Sequence, residues 1–255
     1  MDIVAVVNQK GGVGKTTTVH NLASQFAKSG KSVLLIDMDA QGSLTDACGL
    51  EPDALEYALM DVFLGYCEPE DIKHSFENYD LIPANVGLSQ MDISLAQTMS
   101  RENLLKNKIL KKLKTDYDIV LIDCPPSLGI ATINAMTAAD FILIPVGAEY
   151  HPMKSLGLMY KTIGLIRDNT NENLKVLGIL LTFYDKRKVI NRKIMRELVD
   201  NCPDYIFETK VRANISLAEA PAFGKDIYDY KGKSHGAIDY ATLANEILEK
   251  IKGEK

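Results

Sequence analysis

Asn8-Gln9-Lys10-Gly11-Gly12-Val13-Gly14-Lys15-Thr16-Thr17 is the stretch on which the fold turns. An apolar, β-branched run, residues 3–7, precedes it. A segment with helical spacing, residues 17–29, follows it. Strand, glycine loop, helix is the order in which a backbone wraps a phosphate chain. The loop N–H groups of Gly11, Gly12, Val13 and Gly14 surround the anion, and the helix dipole adds a favourable field. Lys15 brings a point charge to the outer phosphates, and the Thr16 hydroxyl is placed to hold Mg²⁺. The pattern G-x-x-x-x-G-K-[ST] is broken at one place: its first glycine falls on Gln9, with an extra lysine, Lys10, beside it.

Outward from the loop, short apolar runs alternate with helical patterns. The clearest strands are residues 3–7, 33–36, 119–122, 141–144 and 176–181, with a shorter candidate at 80–83. Continuous β-branched runs suit parallel strands buried on both faces. Helical spacing marks 17–29, 130–138, 153–167 and 189–201. The expected fold is α/β: a doubly wound, mostly parallel sheet with helices on both faces, its ligand beyond the carboxyl ends of the strands. No Pro/Gly/Ser-rich linker interrupts the chain, so one domain is expected over 1–255. A last helix over 237–251 carries Ala237, Tyr240, Ala241, Ala244, Ile247, Leu248 and Ile251 as one apolar stripe, which predicts packing on the core. A membrane-binding helix wants bulkier apolar residues and a basic polar face, whereas this one has Glu246 and Glu249.

The 255 residues are enough for a substantial core, and 46% hydrophobic with 25% charged residues is a globular balance. A net charge of −5 argues against wholesale nucleic-acid binding and restricts any such surface to a local patch. Four scattered cysteines contain no C-x-x-C, which predicts reduced thiols rather than a zinc site or a disulfide framework. His20, His74, His151 and His235 have no ligand spacing. With no targeting segment or apolar run of membrane-spanning length, the expected location is the cytoplasm.

Acids close two of the strands. Ile36-Asp37-Met38-Asp39-Ala40-Gln41-Gly42 sets two carboxylates around one residue just past a buried strand. They are candidates for the water shell of a magnesium ion and for orienting an attacking water. Ile119-Val120-Leu121-Ile122-Asp123-Cys124-Pro125-Pro126-Ser127 ends four β-formers on an acid, the form of a Walker B strand, so Asp123 is expected near the metal. Cys124 reads as a small buried residue. Lys10 has two readings that spacing leaves even: a solvated loop lysine, or a cation that stabilises phosphate charge in its own subunit or across a dimer.

Taken together, these segments resemble the ParA/MinD family. Lys10 to Thr17 is similar to its deviant Walker A loop. Asp37-Met38-Asp39-Ala40-Gln41 resembles its Asp-x-Asp-Pro-Gln segment, with Ala40 in place of proline. Asp123 to Ser127 resembles its Walker B. Glu149-Tyr150, residues 180–185, Glu219-Ala220-Pro221-Ala222-Phe223-Gly224-Lys225, Asp229-Tyr230 and Ser234-His235-Gly236-Ala237 follow in the family's order, so the resemblance covers nearly the whole chain. It is to the ParA/Soj branch without an N-terminal helix-turn-helix domain. The resemblance implies an ATP hydrolase with Mg²⁺, an ATP-bound homodimer that binds DNA without sequence preference, and a ParB-like adaptor. It implies partition of a plasmid or chromosome segment at the nucleoid, with no membrane partner. The alternatives in the same family are a MinD-like membrane-positioning ATPase and one that positions a protein cargo.

By the same resemblance, Lys10 reaches the partner subunit's nucleotide and Lys15 binds the β- and γ-phosphates. Thr17 meets the α-phosphate, Thr16, Asp39 and Asp123 serve the metal, and Asp39 positions water. Arg212 and Asn214 line the adenine side, although the family often has Ile-Pro-Arg-Asn where this chain has Val211-Arg212-Ala213-Asn214. The candidate DNA segment is basic within an acidic chain: Lys186, Arg187, Lys188, Arg192, Lys193 and Arg196. A common arginine of relatives falls on Ser216, and another on Ala213, so those contacts are expected to be missing. A second basic run, Lys106, Lys108, Lys111, Lys112 and Lys114, reads as a solvated helix face.

Overall fold

Among the described residues seven strands form one sheet: β1 (Asp2–Val6), β2 (Val33–Asp37), β3 (His74–Ser75), β4 (Asp80–Ile82), β5 (Ile119–Asp123), β6 (Phe141–Gly147) and β7 (Lys175–Thr182). Their order is β3-β4-β2-β5-β1-β6-β7. All neighbours are parallel except the β3–β4 pair. The computed structural model describes residues 1–113, 116–148 and 153–254. Lys114, Glu149-Tyr150 and His151 lie outside the described residues.

The continuous apolar runs are buried on both faces, as parallel strands require. Ala5, Ile36, Val120 and Ile122 point into one core, while Val6, Leu35, Ile119 and Leu121 point into the other. The helices that contribute to the first core include α2 (Ile130–Ala138), α3 (Met153–Asn169) and α4 (Val189–Asn201). Those of the second include α1 (Lys15–Lys28), which follows the glycine loop, and α5 (His235–Glu254). The apolar stripe of α5 is therefore occupied. Ala237, Tyr240, Ala244, Ile247 and Ile251 are buried with Leu243, which the stripe had left out, against Val19, Leu22 and Phe26 of α1. Ala241 and Leu248 are half-buried at its margin.

Two features were not legible as periodicity. The short edge strand β3 pairs antiparallel with β4 through His74 and Ser75, too few residues to show a pattern. In β7 the register with β6 slips, so that Ile142 faces Val176 and Leu143 faces Gly178. The extra residue puts Leu177 and Leu180 in the same core although they are three apart. A Cβ on Gly178 would lie 2.7 Å from the Phe207 ring, so that strand passes where only glycine fits.

β1 lies between β5 and β6, and the chain leaves it toward β2 on one side and later returns to β6 on the other. The glycine loop thus opens at the point where the winding reverses, where such sheets hold ligands. Asp37 and Asp123 are register partners at the adjacent strand ends.

Candidate active site

The loop is gripped at both ends. Asn8 is buried; its Nδ2 donates to the Pro145 carbonyl of β6 at 2.6 Å, and its Oδ1 accepts from the Lys10 N–H at 2.9 Å. Farther on, the Thr182 hydroxyl at the end of β7 donates to the Val13 carbonyl at 2.8 Å. Between them Gly12 and Gly14 adopt φ of 70° and 84°, a left-handed backbone that a side chain would strain. Gly14 is the residue before the first turn of α1, so the turn into the helix depends on it. Lys15 is buried, its Nζ 3.5 Å from the Lys10 carbonyl. Lys10 itself is exposed. It lines an open groove of about 910 Å³ with Gln9, Pro126, Met153, Leu158 and Lys161.

The Thr16 hydroxyl donates to Asp123 Oδ2 at 2.6 Å. The other carboxylate oxygen, Oδ1, is buried and has no hydrogen-bond partner among the described residues. Burial pushes the Asp123 carboxyl well above the usual range, and neighbouring Asp37 adds to the rise. The Thr16 hydroxyl and the Lys15 ammonium pull the other way. A buried acid with one orphaned oxygen beside a threonine hydroxyl fits a divalent cation, which would supply the missing charge. Among the described residues no group of three His, Cys, Asp or Glu side chains stands close enough to cage an ion. An ion here would draw on Thr16, Asp123, water and phosphate oxygens, the ligand set Mg²⁺ favours.

The two acids after β2 part company. Asp37 is fully buried and saturated: its Oδ1 accepts from the Asp39 N–H at 3.0 Å, and its Oδ2 accepts from the Thr45 N–H and hydroxyl at 2.9 and 2.8 Å. The same Thr45 hydroxyl accepts from the Ala84 N–H. Burial pushes the Asp37 carboxyl up to about 6 despite these bonds, with Asp39 contributing. Asp37 is a bracket for the loop. Asp39 is half-buried, its Oδ1 accepting from the Gln41 N–H at 3.0 Å, and its charge is felt at Asp123.

On the other side of the loop a cavity of about 130 Å³ is lined by Gly14, Thr17, Thr182, Phe183, Arg212 and Asn214. The side chains of the last two are already engaged. Arg212 forms a bidentate pair with Asp239, its Nη2 2.6 Å from Oδ1, and Asn214 caps the helix Ile215–Glu219 by accepting from the Ser216 N–H. Both still line the cavity, the side on which the resemblance puts the adenine, with their polar ends engaged by Asp239 and the Ser216 N–H.

All six candidate DNA residues are exposed. Lys186 and Arg187 share a cleft of about 600 Å³ with Lys210, Arg212 and His235. Arg187 is tied to Asp185 at 2.9 Å, and Lys193 lies 3.9 Å from Glu197, an exposed contact that leaves its charge largely in water. Ser216, the aligned arginine position, is buried, while its neighbour Ile215 is exposed. The run from Lys106 to Lys112 is not merely a solvated helix face. Lys108 donates to the carbonyls of Val62 and Phe63 at the end of the helix Leu59–Leu64, and Lys112 pairs with Glu68. Cys124 is buried and its thiol is pushed up by burial, as a small core residue.

Sequence reading gave no role to Asn8, Thr45, Thr182 or Phe183, although Asn8 and residues 180–185 lay in segments it singled out. Asn8 carried a usable signal, an Asx residue where a strand gives way to a turn. Thr182 was the polar end of an apolar run. Phe183 adopts φ of 53°, unusual for a non-glycine residue, and its ring lies 3.9 Å from where a Gly14 Cβ would be. Only the fold discloses that.

Residues 1–176 match the family of AAA domains. The chain is 41% identical over 247 residues to the sporulation initiation inhibitor protein Soj of Bacillus subtilis, covering 96% of this chain and 97% of Soj. It is 36% identical over 252 residues to the chromosome partitioning protein ParA of Caulobacter vibrioides, covering 97% and 94% of the two. A crystal structure named cobyrinic acid a,c-diamide synthase from Mycobacterium smegmatis, with bound ATP analog and magnesium, superposes with a TM-score of 0.89 at 34% identity, over 100% of this chain and 97% of that one. The chain belongs to the AAA-domain family of P-loop ATPases, in the ParA/Soj group of the ParA/MinD proteins.

Proposed function

We propose that this protein is a partition ATPase. It binds ATP with Mg²⁺, pairs face to face with a second copy, and in that state holds DNA without regard to sequence. A ParB-like partner stimulates hydrolysis and releases it. The observation that carries the reading is the contrast between the loop lysines. Lys15 is buried at the start of α1, while Lys10 is exposed in an open groove and pairs with no carboxylate among the described residues. A lysine so placed is available to a nucleotide on another subunit, and a cation supplied across an interface is worth up to about 10³–10⁵ in rate.

In this proposal the N–H groups of Gly11 to Gly14 cradle the phosphates, Lys15 meets the β- and γ-phosphates, and Thr17 meets the α-phosphate. Thr16 and Asp123 hold the metal, with Asp39 at its water shell. Mg²⁺, when bound, neutralises charge on the transferred phosphoryl group. Asp39 orients the attacking water, and Asp37 holds the Asp39 backbone in place. The base rests in the cavity beside Gly14 and Phe183. The basic residues of 186–196 meet the DNA backbone, and pairing doubles that patch, so modest contacts act jointly. The cargo is a plasmid or chromosome segment and the location is the cytoplasm at the nucleoid. A membrane-positioning role is disfavoured, because the apolar stripe of α5 is spent on α1.

DNA binding measured with ADP, ATP and a slowly hydrolysed analogue at several salt concentrations tests the proposal. Binding is expected with the triphosphates only and should weaken steeply with salt. Binding indifferent to nucleotide would remove the switch.

A further inference from the structure

Asn8 sits where the chain leaves the sheet. Val7 N–H makes the last main-chain bond of this edge, to the Leu143 carbonyl at 3.0 Å. In a continuing parallel ladder the N–H of residue 9 would take the next acceptor, the Pro145 carbonyl. The main chain turns away instead, and Asn8 Nδ2 takes that acceptor at 2.6 Å. Pro145 has no N–H, so the departing strand strands no donor there. The other end of the same buried amide accepts from the Lys10 N–H at 2.9 Å. One side chain thus both replaces a rung of the sheet and sets the turn from which Lys10 departs.

The second hold on Lys10 is the Lys15 ammonium, 3.5 Å from its carbonyl. A phosphate would draw that ammonium away, leaving the Asn8 amide as the fixed anchor of the Lys10 backbone. Thr182 grips the loop at Val13, three residues beyond Lys10.

We infer that Asn8 is the positioning residue for Lys10, tying the exposed lysine to β6. The inference rests on Lys10 acting in turnover. A double-mutant cycle between the two positions tests it, read as kcat for ATP hydrolysis and, separately, as ADP affinity. Asn8→Ala is expected to lose at least half, on a logarithmic scale, of what Lys10→Ala loses in kcat, with ADP affinity changed less than about threefold. Asn8→Ala added to Lys10→Ala should cost less than about a further twofold, since an anchor with nothing to position has no further effect. Thr182→Val, the contrasting anchor, should weaken ADP binding and add its loss fully to that of Lys10→Ala. Should Asn8→Ala fail to fold, Asn8→Asp keeps the oxygen that meets the Lys10 N–H, and its loss should be smaller than that of Lys10→Ala and should vanish in the Lys10→Ala background. Independent, additive losses at Asn8 and Lys10, or an Asn8 loss confined to ADP affinity, overturn the inference alone. A Lys10→Ala protein with unaltered turnover overturns it together with the reading of Lys10.

Discussion

Asp37 and Asp123 are spelled alike and end up opposite in character. Each closes an apolar strand, the two strands are neighbours in the sheet, and the two acids are register partners, both fully buried. Yet Asp37 accepts three hydrogen bonds from its own loop and Thr45, whereas Asp123 accepts one, from Thr16, and keeps an oxygen with no partner among the described residues. A strand-end acid in sequence gives a place at the mouth of the sheet. Its task is set by what crosses above it: the helix Ser43–Ala47 covers Asp37, and the glycine loop opens over Asp123. Saturated acids hold shape, and an unsatisfied one is left for a ligand.

The largest effect that separates the two acids is on turnover. Asp123→Ala should lower kcat for Mg²⁺-dependent ATP hydrolysis by roughly 10³-fold, the scale of removing one well-placed electrostatic group, while metal-free ADP binding stays within about threefold. Single-turnover kinetics beside calorimetric ADP titration reads both. Unimpaired hydrolysis would take Asp123 out of the metal site.

Next is a stability effect on the other member. Asp37→Ala leaves the N–H groups of Asp39 and Thr45 without their acceptor in the interior. It should cost about 3 kcal/mol, seen as a melting temperature lower by roughly 6–12 °C. A melting temperature within about 1 °C of the parent protein would show that Asp37 is no bracket.

The smallest effect has the opposite sign. Asp123→Asn should stabilise the nucleotide-free protein, by about 1 kcal/mol at neutral pH, because it removes a buried acid whose ionised form the fold disfavours. The raised carboxyl keeps its proton in the folded chain after the unfolded chain has released it. Its penalty is therefore absent below about pH 4 and grows as pH rises through the interval up to the raised value. Denaturant melts at pH 4 and pH 7 check this. A gain that is larger at the lower pH contradicts the burial argument.

Much of the sheet was legible because parallel strands buried on both faces must be apolar throughout, and such runs stand out. The helix 130–138 and the helix 189–201 begin and end where their spacing said. The strand β3 and the slipped register of β7 were not legible, since two residues carry no period and a bulge changes parity without changing composition. In the site, the loop and Asp123 could be named from type and order. The engagement of Arg212 with Asp239, the bracket of Asp37 by Thr45, and the hold of Asn8 on Lys10 join residues 27, 8 and 2 apart. Even the nearest of these pairs depends on Pro145, which comes from a strand 137 residues away.

By itself, the sequence determined that a glycine loop stands between a strand and a helix, the arrangement suited to phosphate. Glycine, lysine and threonine in that order leave the backbone little else to do. It also determined that acids stand at the strand ends beside it. Only the tertiary structure decided which acid is left open, which lysine is buried and which exposed, and which side chains are already spoken for. Those outcomes are matters of hydrogen-bond accounting between distant segments, and a linear pattern does not record which donors and acceptors the fold has brought together and used.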